Sequence, residues 1–525
     1  MGKTKQAEKT DLTGTERLAA AIDLGASAVR MLLVEIREDD EWRVLENLSY
    51  PIGLGKEVFL NGRILPETTE TVTGIFRRLR QLLAEYRLEN PARVRAVATS
   101  AVREAANREA FLDRIFVATG IQVEVAAASD INRMTFMALA PLLKKDKRLA
   151  NGSLLVAEVG GGVTEFLGLE KGLVKFSRTT KLGLLRLREQ SVEHRVAANK
   201  LKFFLKGQID SSLDQLQRME FDRNPTMLLM GGEARFAATV LCPGWEEEGI
   251  CRLPVIALEK LAEETLALSV EDLAACRRIS FAEAEILGPA LLCHVRIANV
   301  FGAKEVTVTG TSLRDGIIAE IAGGRLWNRE FRAQVIASAV EIGEKYQWDR
   351  RHAETVAGYA RRLFAAMAPE HGLPQHYGLI LEVAALLHDI GTYIATQAHH
   401  KHSMYLIRNS ELFGLGERHL QMVALIARYH RKAPPQPDHE EFMQLDRGGR
   451  VAVLKLAAIL RVADALDRSH ECLLGKRVVF ETAEGQLRIS FPRPDGDWST
   501  EQVSLEEKGD MLKDVFGLEP VLMAE

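Results

Sequence analysis

Two short stretches place an acid just ahead of glycine at the end of an apolar run. Leu154–Phe166 reads LLVAEVGGGVTEF, with Glu158 before Gly160, Gly161 and Gly162 and Glu165 after them. Residues 20–36 read AAIDLGASAVRMLLVEI, where Asp23 and Gly25 match Glu158 and Gly160 in role. Glycine loses more backbone freedom on folding than any other residue, so three in a row need a reason. One reason is close approach: a tight turn without side chains can aim its N–H groups at a bound anion. Carboxylates beside a phosphate then imply a divalent cation between them. Read alone, Leu154–Phe166 fits an ordinary glycine-rich hairpin equally well. The second copy of the pattern favours two related subdomains facing each other across a cleft.

A second constellation lies in the C-terminal half: His352, the doublet His388–Asp389, and Asp464. Imidazole and carboxylate ligands from separate helices suit a divalent cation with open positions for water and phosphate. His352 shares a helical stripe with Val356, Tyr359 and Leu363, and Asp464 shares one with Leu456 and Leu460. Polar groups on apolar stripes are costly when unpaired. A metal on all four satisfies them; a hydrogen-bonded histidine–aspartate pair in a helical core is the structural alternative.

These residues need elements to position them. Strands and helices alternate over 16–140 and again over 141–323, as in TMLLMGGEARFAA (226–238) and KEVTVTGTSLRDGIIAEIA (304–322). β-Branched runs ended by glycine and followed by helical periodicity indicate α/β architecture. From 324 to 472 helical periodicity dominates, with breaks at Pro369, Pro374 and Pro434–Pro435, so an all-α domain is expected. Residues 473–525 predict a small α+β unit, with a hairpin around Glu484–Gly485 and a helix over 505–520.

Bulk properties bound the function. A chain of 525 residues is long enough for several domains, and 47% apolar with 27% charged residues is a soluble globular composition. There is no apolar run of about 18 residues, so no membrane span or membrane partner is expected. Residues 1–15 are polar throughout and predict a flexible tail, not a secretory signal. Five scattered cysteines without metal-finger spacing read as reduced thiols in the cytoplasm. The net charge of −4 argues against a polycation built for nucleic acid, and no sequence-specific nucleic-acid binding is expected. A polyanion would meet local basic patches at 77–87, 144–148 and 427–432, although each alone reads as a solvated face.

Taken in order, AAIDLGASAVRM, VATSAVREAANREAF, EVGGGVTEF, KLGLLRL, GGEARF and SLRDGIIAE resemble the exopolyphosphatase and guanosine-pentaphosphate phosphatase family, Ppx/GppA. LLHDIG, HKHSMYLIRNSELFG and ARYHRK match the helical part of its long members. The resemblance implies two actin-like (ribonuclease H-like) subdomains forming a cleft, then an all-α HD-like domain and the small C-terminal unit. It implies release of terminal phosphate from polyphosphate or guanosine pentaphosphate with Mg²⁺, or another divalent metal such as Mn²⁺. Polyphosphate would thread a basic channel. Arg103 would grip a phosphate; Gly25, Ser27, Gly160, Gly161, Gly162 and Thr164 would form the loops around it. Asp23 and Glu158 would hold the metal, and Glu165 would orient metal or water. The H…HD…D order of His352, His388, Asp389 and Asp464 is similar to that of HD-type metal-dependent phosphohydrolases. His399, His400, His402 and His430 belong to the family motifs and carry three readings: lining for the polyanion, packing at a domain junction, and, least favoured, ligands of an additional metal. Long members commonly pair, so a homodimer is an expected arrangement.

The chain also departs from the pattern. The family's central strand leads into a serine–glycine–acid–acid–alanine–arginine run whose second acid is the general base. Here the segment is VEVAAASDINR, and alignment on VEV and Arg133 places Ile131 at the base position. Isoleucine accepts no proton, which leaves neighbouring Asp130 as the stand-in catalytic acid. Ser27, Ala28, Glu158 and Val163 differ from the family's preferred residues in the two loops. Three readings follow: a phosphohydrolase of the α/β cleft, an HD-type phosphohydrolase of the helical domain, and a catalytically weakened polyphosphate or alarmone sensor.

Overall fold

The computed structural model describes residues 17–37, 41–88, 90–217, 221–222, 224–323, 329–475, 477–492 and 496–524. The tail expected over 1–15 lies outside them. The chain forms two compact units, one reaching residue 326 without 173–175, the other holding 173–175 and 327–525.

The first unit is built on two sheets. One contains β1 (Leu18–Leu24), β2 (Ala28–Ile36), β3 (Trp42–Pro51), β4 (Val94–Ala98) and β5 (Val123–Val125), in the order β3-β2-β1-β4-β5. The other contains β6 (Ser153–Val159), β7 (Thr164–Glu170), β8 (Leu173–Thr180), β9 (Thr226–Met230), β10 (Ile250–Pro254) and β11 (Glu305–Thr309), in the order β10-β11-β9-β6-β7-β8. Read from β8, the second sheet repeats the strand order of the first and adds β10 at its edge. In both, the hairpin is antiparallel and the next strand joins the central one in parallel: β4 beside β1, β9 beside β6. The central strands are apolar because both faces are covered. Alternation divides β1 between two cores, with Ala20 and Ile22 on one face and Ala19 and Ala21 on the other. Asp23 and Glu158 occupy the same place in β1 and β6, the sixth of seven residues and the one partly open position near the end of each strand.

The second unit is helical from Arg329 to Ala465, with no strand among its described residues over that range. Its site-bearing helices are Arg350–Ala366, Tyr377–Leu387, His399–Arg408, Glu417–Arg428 and Arg447–Ala465. The C-terminal part contains β12 (Val479–Ala483), β13 (Gln486–Phe491) and β14 (Glu519–Ala524). β12 and β13 turn at Glu484–Gly485, both with positive φ (52° and 76°). The helix expected over 505–520 breaks at Gly509 into Ser499–Lys508 and Asp510–Phe516, and β14 then pairs with β13 in parallel. No described helix is long and apolar enough to cross a membrane.

Candidate functional site

The two acid–glycine turns close identically. Gly25 N–H donates to the Ala28 carbonyl at 3.0 Å, and Gly160 N–H donates to the Val163 carbonyl at 2.9 Å. Across the first hairpin Asp23 faces Arg30; across the second, Glu158 faces Glu165. The turns also meet each other, because a Cβ on Gly161 would stand 3.1 Å from the Ala26 Cβ.

None of the three glycines has the left-handed backbone that would demand glycine. At Gly162 the missing side chain serves packing. A Cβ on Gly162 would lie 2.3 Å from Phe59 and 2.7 Å from the Ser100 hydroxyl. The Gly160 and Gly161 carbonyls accept from Leu184 N–H (3.0 Å) and Leu185 N–H (2.9 Å), which seats the helix Leu184–Glu193 on the turn.

The turns line a cavity of about 160 Å³ shared by Asp23, Gly25, Ser27, Gly160, Gly161 and Glu165. Glu158, Ile131, Glu233, Arg30, Arg235 and Arg314 complete its chemistry. Asp23 Oδ1, Glu158 Oε2 and Arg235 Nη1 are buried with no hydrogen-bond partner among the described residues. Burial holds the Asp23 carboxyl above its ordinary range, against the pull of Arg30 and Arg314. Burial and then the Asp23 charge raise Glu158. Glu165 is pushed up to about 8 by burial and by Glu158, with Arg103 opposing. Glu233 is raised by burial, against Arg30 and Arg235. Carboxylates so crowded and so dry stay ionised only with compensating positive charge.

Four other anticipated residues stand apart from the cavity wall. Gly162 packs on Phe59, and Thr164 is fully buried with its hydroxyl donating to the Leu182 carbonyl at 2.6 Å. Arg103 donates from Nη1 to the Ala126 carbonyl at 2.6 Å. Asp130 caps the helix Ala128–Lys145: one carboxylate oxygen accepts from Ala127 N–H at 3.2 Å and the other pairs with Arg133 at 3.3 Å. Arg133 is bound in turn to Glu320. Ile131 faces the cavity, and its neighbour Asp130 is committed to the helix end. Arg30, Glu233, Arg235 and Arg314 were not anticipated as site residues. Their signal lay inside the quoted segments GGEARF and SLRDGIIAE and in the strand after Asp23.

The helical unit brings His352, His388, Asp389 and Asp464 together. Asp349 caps the helix Arg350–Ala366 by accepting from His352 N–H at 3.1 Å, which fixes His352 in the first turn. His388 and Asp389 end the helix Tyr377–Leu387. Gly391 then lets the helix His399–Arg408 close in, since a Cβ there would meet the His399 carbonyl at 2.1 Å. His352 Nε2 and His388 Nε2 lie 3.6 and 3.7 Å from Asp464 Oδ1, and 4.0 and 3.7 Å from Asp389 Oδ2. Both nitrogens are buried without a hydrogen-bond partner among the described residues. Despite burial, the acids raise His352 to about 9 and raise His388, while Lys508 and the histidines hold Asp464 well below the carboxylate range. Asp467, not anticipated, accepts from His352 Nδ1 at 2.8 Å. His399 and His430 join the cluster, and His400 stands apart from it.

Two sheets that share a five-strand order, each with an acid–glycine turn on one small cavity, define an α/β protein with a duplicated core. The profile of the Ppx/GppA phosphatase family matches residues 37–324, and that of Ppx/GppA phosphatase domain III matches residues 336–503. The chain belongs to the Ppx/GppA phosphatase family and is a phosphohydrolase. It is similar to the guanosine-5′-triphosphate,3′-diphosphate pyrophosphatase of Vibrio vulnificus, 24% identical over 92% of this chain and 93% of that one. The Vibrio parahaemolyticus protein of the same name is 23% identical over 85% and 87%. The solved exopolyphosphatase of Cytophaga hutchinsonii shares the fold over 58% of this chain and 98% of that one, with 20% identity and a TM-score of 0.52.

Proposed function

We propose that the cleft releases the terminal phosphate of guanosine pentaphosphate or of inorganic polyphosphate. One observation carries this reading: Asp23 Oδ1 and Glu158 Oε2, buried and partnerless, face Arg30, Arg235 and Arg314 in one small cavity. Oxygen-only donors suit a hard cation, so Asp23 and Glu158 would hold Mg²⁺ or Mn²⁺. When bound, the ion would supply charge neutralisation at the transferred phosphoryl group.

Arg235 and Arg314 would pair phosphate oxygens through their planar guanidinium groups. Gly25, Ser27, Gly160 and Gly161 would let those oxygens approach the main chain. Glu165, opposite Glu158, would orient the attacking water, with Arg103 acting on Glu165 from behind. At about 160 Å³ the cavity is below the roughly 300 Å³ at which drug-sized ligand pockets begin. It accepts an end group, which suits the terminus of a condensed phosphate. The near full-length pyrophosphatase relatives favour guanosine pentaphosphate, and the exopolyphosphatase neighbour keeps polyphosphate beside it.

The partnerless Nε2 atoms of His352 and His388 favour a second reading for the other unit: an HD-like domain with a divalent cation on His352, His388, Asp389 and Asp464.

The test is phosphate release from both substrates with magnesium. Wild type should release phosphate from at least one, and Asp23→Asn should be slower by roughly a thousandfold, since metal stabilisation of phosphoryl transfer contributes several kcal/mol. Wild type that releases none from either substrate, with magnesium or manganese, refutes the reading.

A further inference from the structure

We propose that Cys242 and Cys251 form a modification site, a thiol pair that peroxide converts to an internal disulfide. The inference is independent of phosphate release in the cleft and of any metal in the helical unit.

The fold brings the two sulfurs together from opposite ends of one short loop. Cys242 ends the helix Gly232–Leu241, where its N–H donates to the Ala238 carbonyl at 2.8 Å. Cys251 is the second residue of β10 and lies opposite Val308 of β11. Between them the loop folds back on itself. Trp245 N–H donates to the Cys242 carbonyl at 3.2 Å, and Gly249 N–H donates to the Trp245 carbonyl at 3.0 Å. Gly244 and Gly249 supply the positive φ (85° and 72°) that such a reversal needs. Both cysteines then pack in one core cluster of the second sheet: Cys251 is buried within it, and Cys242 lies half-buried against it. The Cys242 side chain is a hydrogen-bonding neighbour of the Cys251 thiol. Thiols in that contact lie a side-chain rotation away from an S–S bond of about 2 Å. Cys293 shows the contrast, since burial alone acts on its thiol.

Exposure sets the order of events. Cys242 is the more open partner and meets the oxidant first. Cys251 is 4% exposed and stays protonated, because burial and then Cys242 push it up to about 12. The Cys242 thiolate attacks hydrogen peroxide: an S–O bond forms, the O–O bond breaks, and the departing hydroxide takes up the thiol proton as water. The Cys251 sulfur then attacks the Cys242 sulfenic acid. The S–S bond forms, the S–O bond breaks, and hydroxide leaves as water with the Cys251 proton. Two thiols are oxidised, and one peroxide is reduced to two waters. The closed loop ties β10, the edge strand of its sheet, to the helix whose first turn carries Glu233 and Arg235 on the cavity wall.

The test treats the reduced full-length protein with hydrogen peroxide for some hours, blocks the remaining thiols and then denatures it. Glutamyl endopeptidase cuts after Glu246, Glu247 and Glu248, which puts the two cysteines on separate peptides. Mass spectrometry without reductant should find those peptides joined and lighter by two hydrogens, and a thiol reductant should part them. Cys242→Ser should abolish the joined pair, while Cys276→Ser, which removes the exposed thiol, should leave it. Cys242 recovered as sulfinic or sulfonic acid beside a free Cys251, Cys242 joined to any other cysteine, or both thiols still free overturns the proposal. The wild-type peptide map involves no substitution, so the proposal stands or falls on it even where a variant misfolds. Failure of phosphate release in the cleft does not bear on it.

Discussion

The cleft and the histidine cluster face the same physical problem, carboxylates taken out of water, and solve it in opposite ways. In the cleft, burial dominates: Asp23, Glu158, Glu165 and Glu233 all lie above their ordinary carboxyl range, and arginines compensate only in part. In the helical unit, positive partners dominate. Asp389 and Asp464 lie below the carboxylate range because His388, His399 and Lys508 stand against them. The first arrangement has less positive than negative charge and offers only carboxylate oxygen, which suits a hard cation. The second is nitrogen-rich and nearly enclosed, which favours a resident borderline cation.

The largest expected effect tests what the cleft lacks. Ile131 is 4% exposed, lines the cavity, and stands where the family resemblance places the base. Ile131→Glu puts a proton acceptor on that wall. General-base catalysis typically contributes about 10²–10⁴-fold, so kcat for phosphate release should rise roughly a hundredfold. Ile131→Gln, which has the same reach and no basicity, is the control. Equal rates for Gln and Glu would show that proton transfer does not limit this cleft and that its acids serve the cation.

A smaller effect asks why the turn is bare. If Gly162 serves packing, Gly162→Ala must force Phe59 and Ser100 aside, because its Cβ would arrive at 2.3 and 2.7 Å. Overpacking of this kind costs about 2 kcal/mol, a fall of several degrees in the melting temperature of the first unit. Adding Phe59→Leu should recover most of it. A melting temperature unmoved by Gly162→Ala, together with weaker phosphate binding, would restore the reading of Gly162 as a phosphate cradle.

The acid–glycine turns and the clustering of His352, His388, Asp389 and Asp464 were legible because each rests on a local pattern: an apolar run, a polar group set in it, then a change of periodicity. What the turns pack against was not, since Phe59, Ser100 and Leu185 are remote from Gly161 and Gly162 in the chain. Asp130 carries a local signal of a different kind: an acid at the third position of a helix caps it, and here its carboxylate accepts from Ala127 N–H. Arg30 and Arg235 lacked any periodic mark, and their role depends on which strand ends the fold brings together. Asp467 follows Asp464 by three residues and could have been read as the outer partner of a ligand histidine. β10 and β14 were missed because five- and six-residue runs next to proline carry little strand signal.

The smallest predicted effect uses a histidine that lacks what the cluster has. His294 lies in the helix Phe281–Val300, 1% exposed, with neither ring nitrogen partnered among the described residues. No carboxylate opposes its burial, and its pKa is lowered to about 4, whereas His352 among its acids is raised to about 9. The unfolded chain protonates this ring near its ordinary value of about 6.5, while the folded one resists until about 4. Stability is therefore full above the unfolded pKa and falls as the pH drops through the window between the two values. From pH 7.5 to about 5.5 this one group should cost the fold roughly 1.4 kcal/mol. His294→Leu should flatten that part of the urea-unfolding profile by the same amount, with metal content unchanged. An unaltered slope would mean that the ring finds a partner or a proton inside the core, and that burial alone does not separate a structural histidine from a metal-binding one.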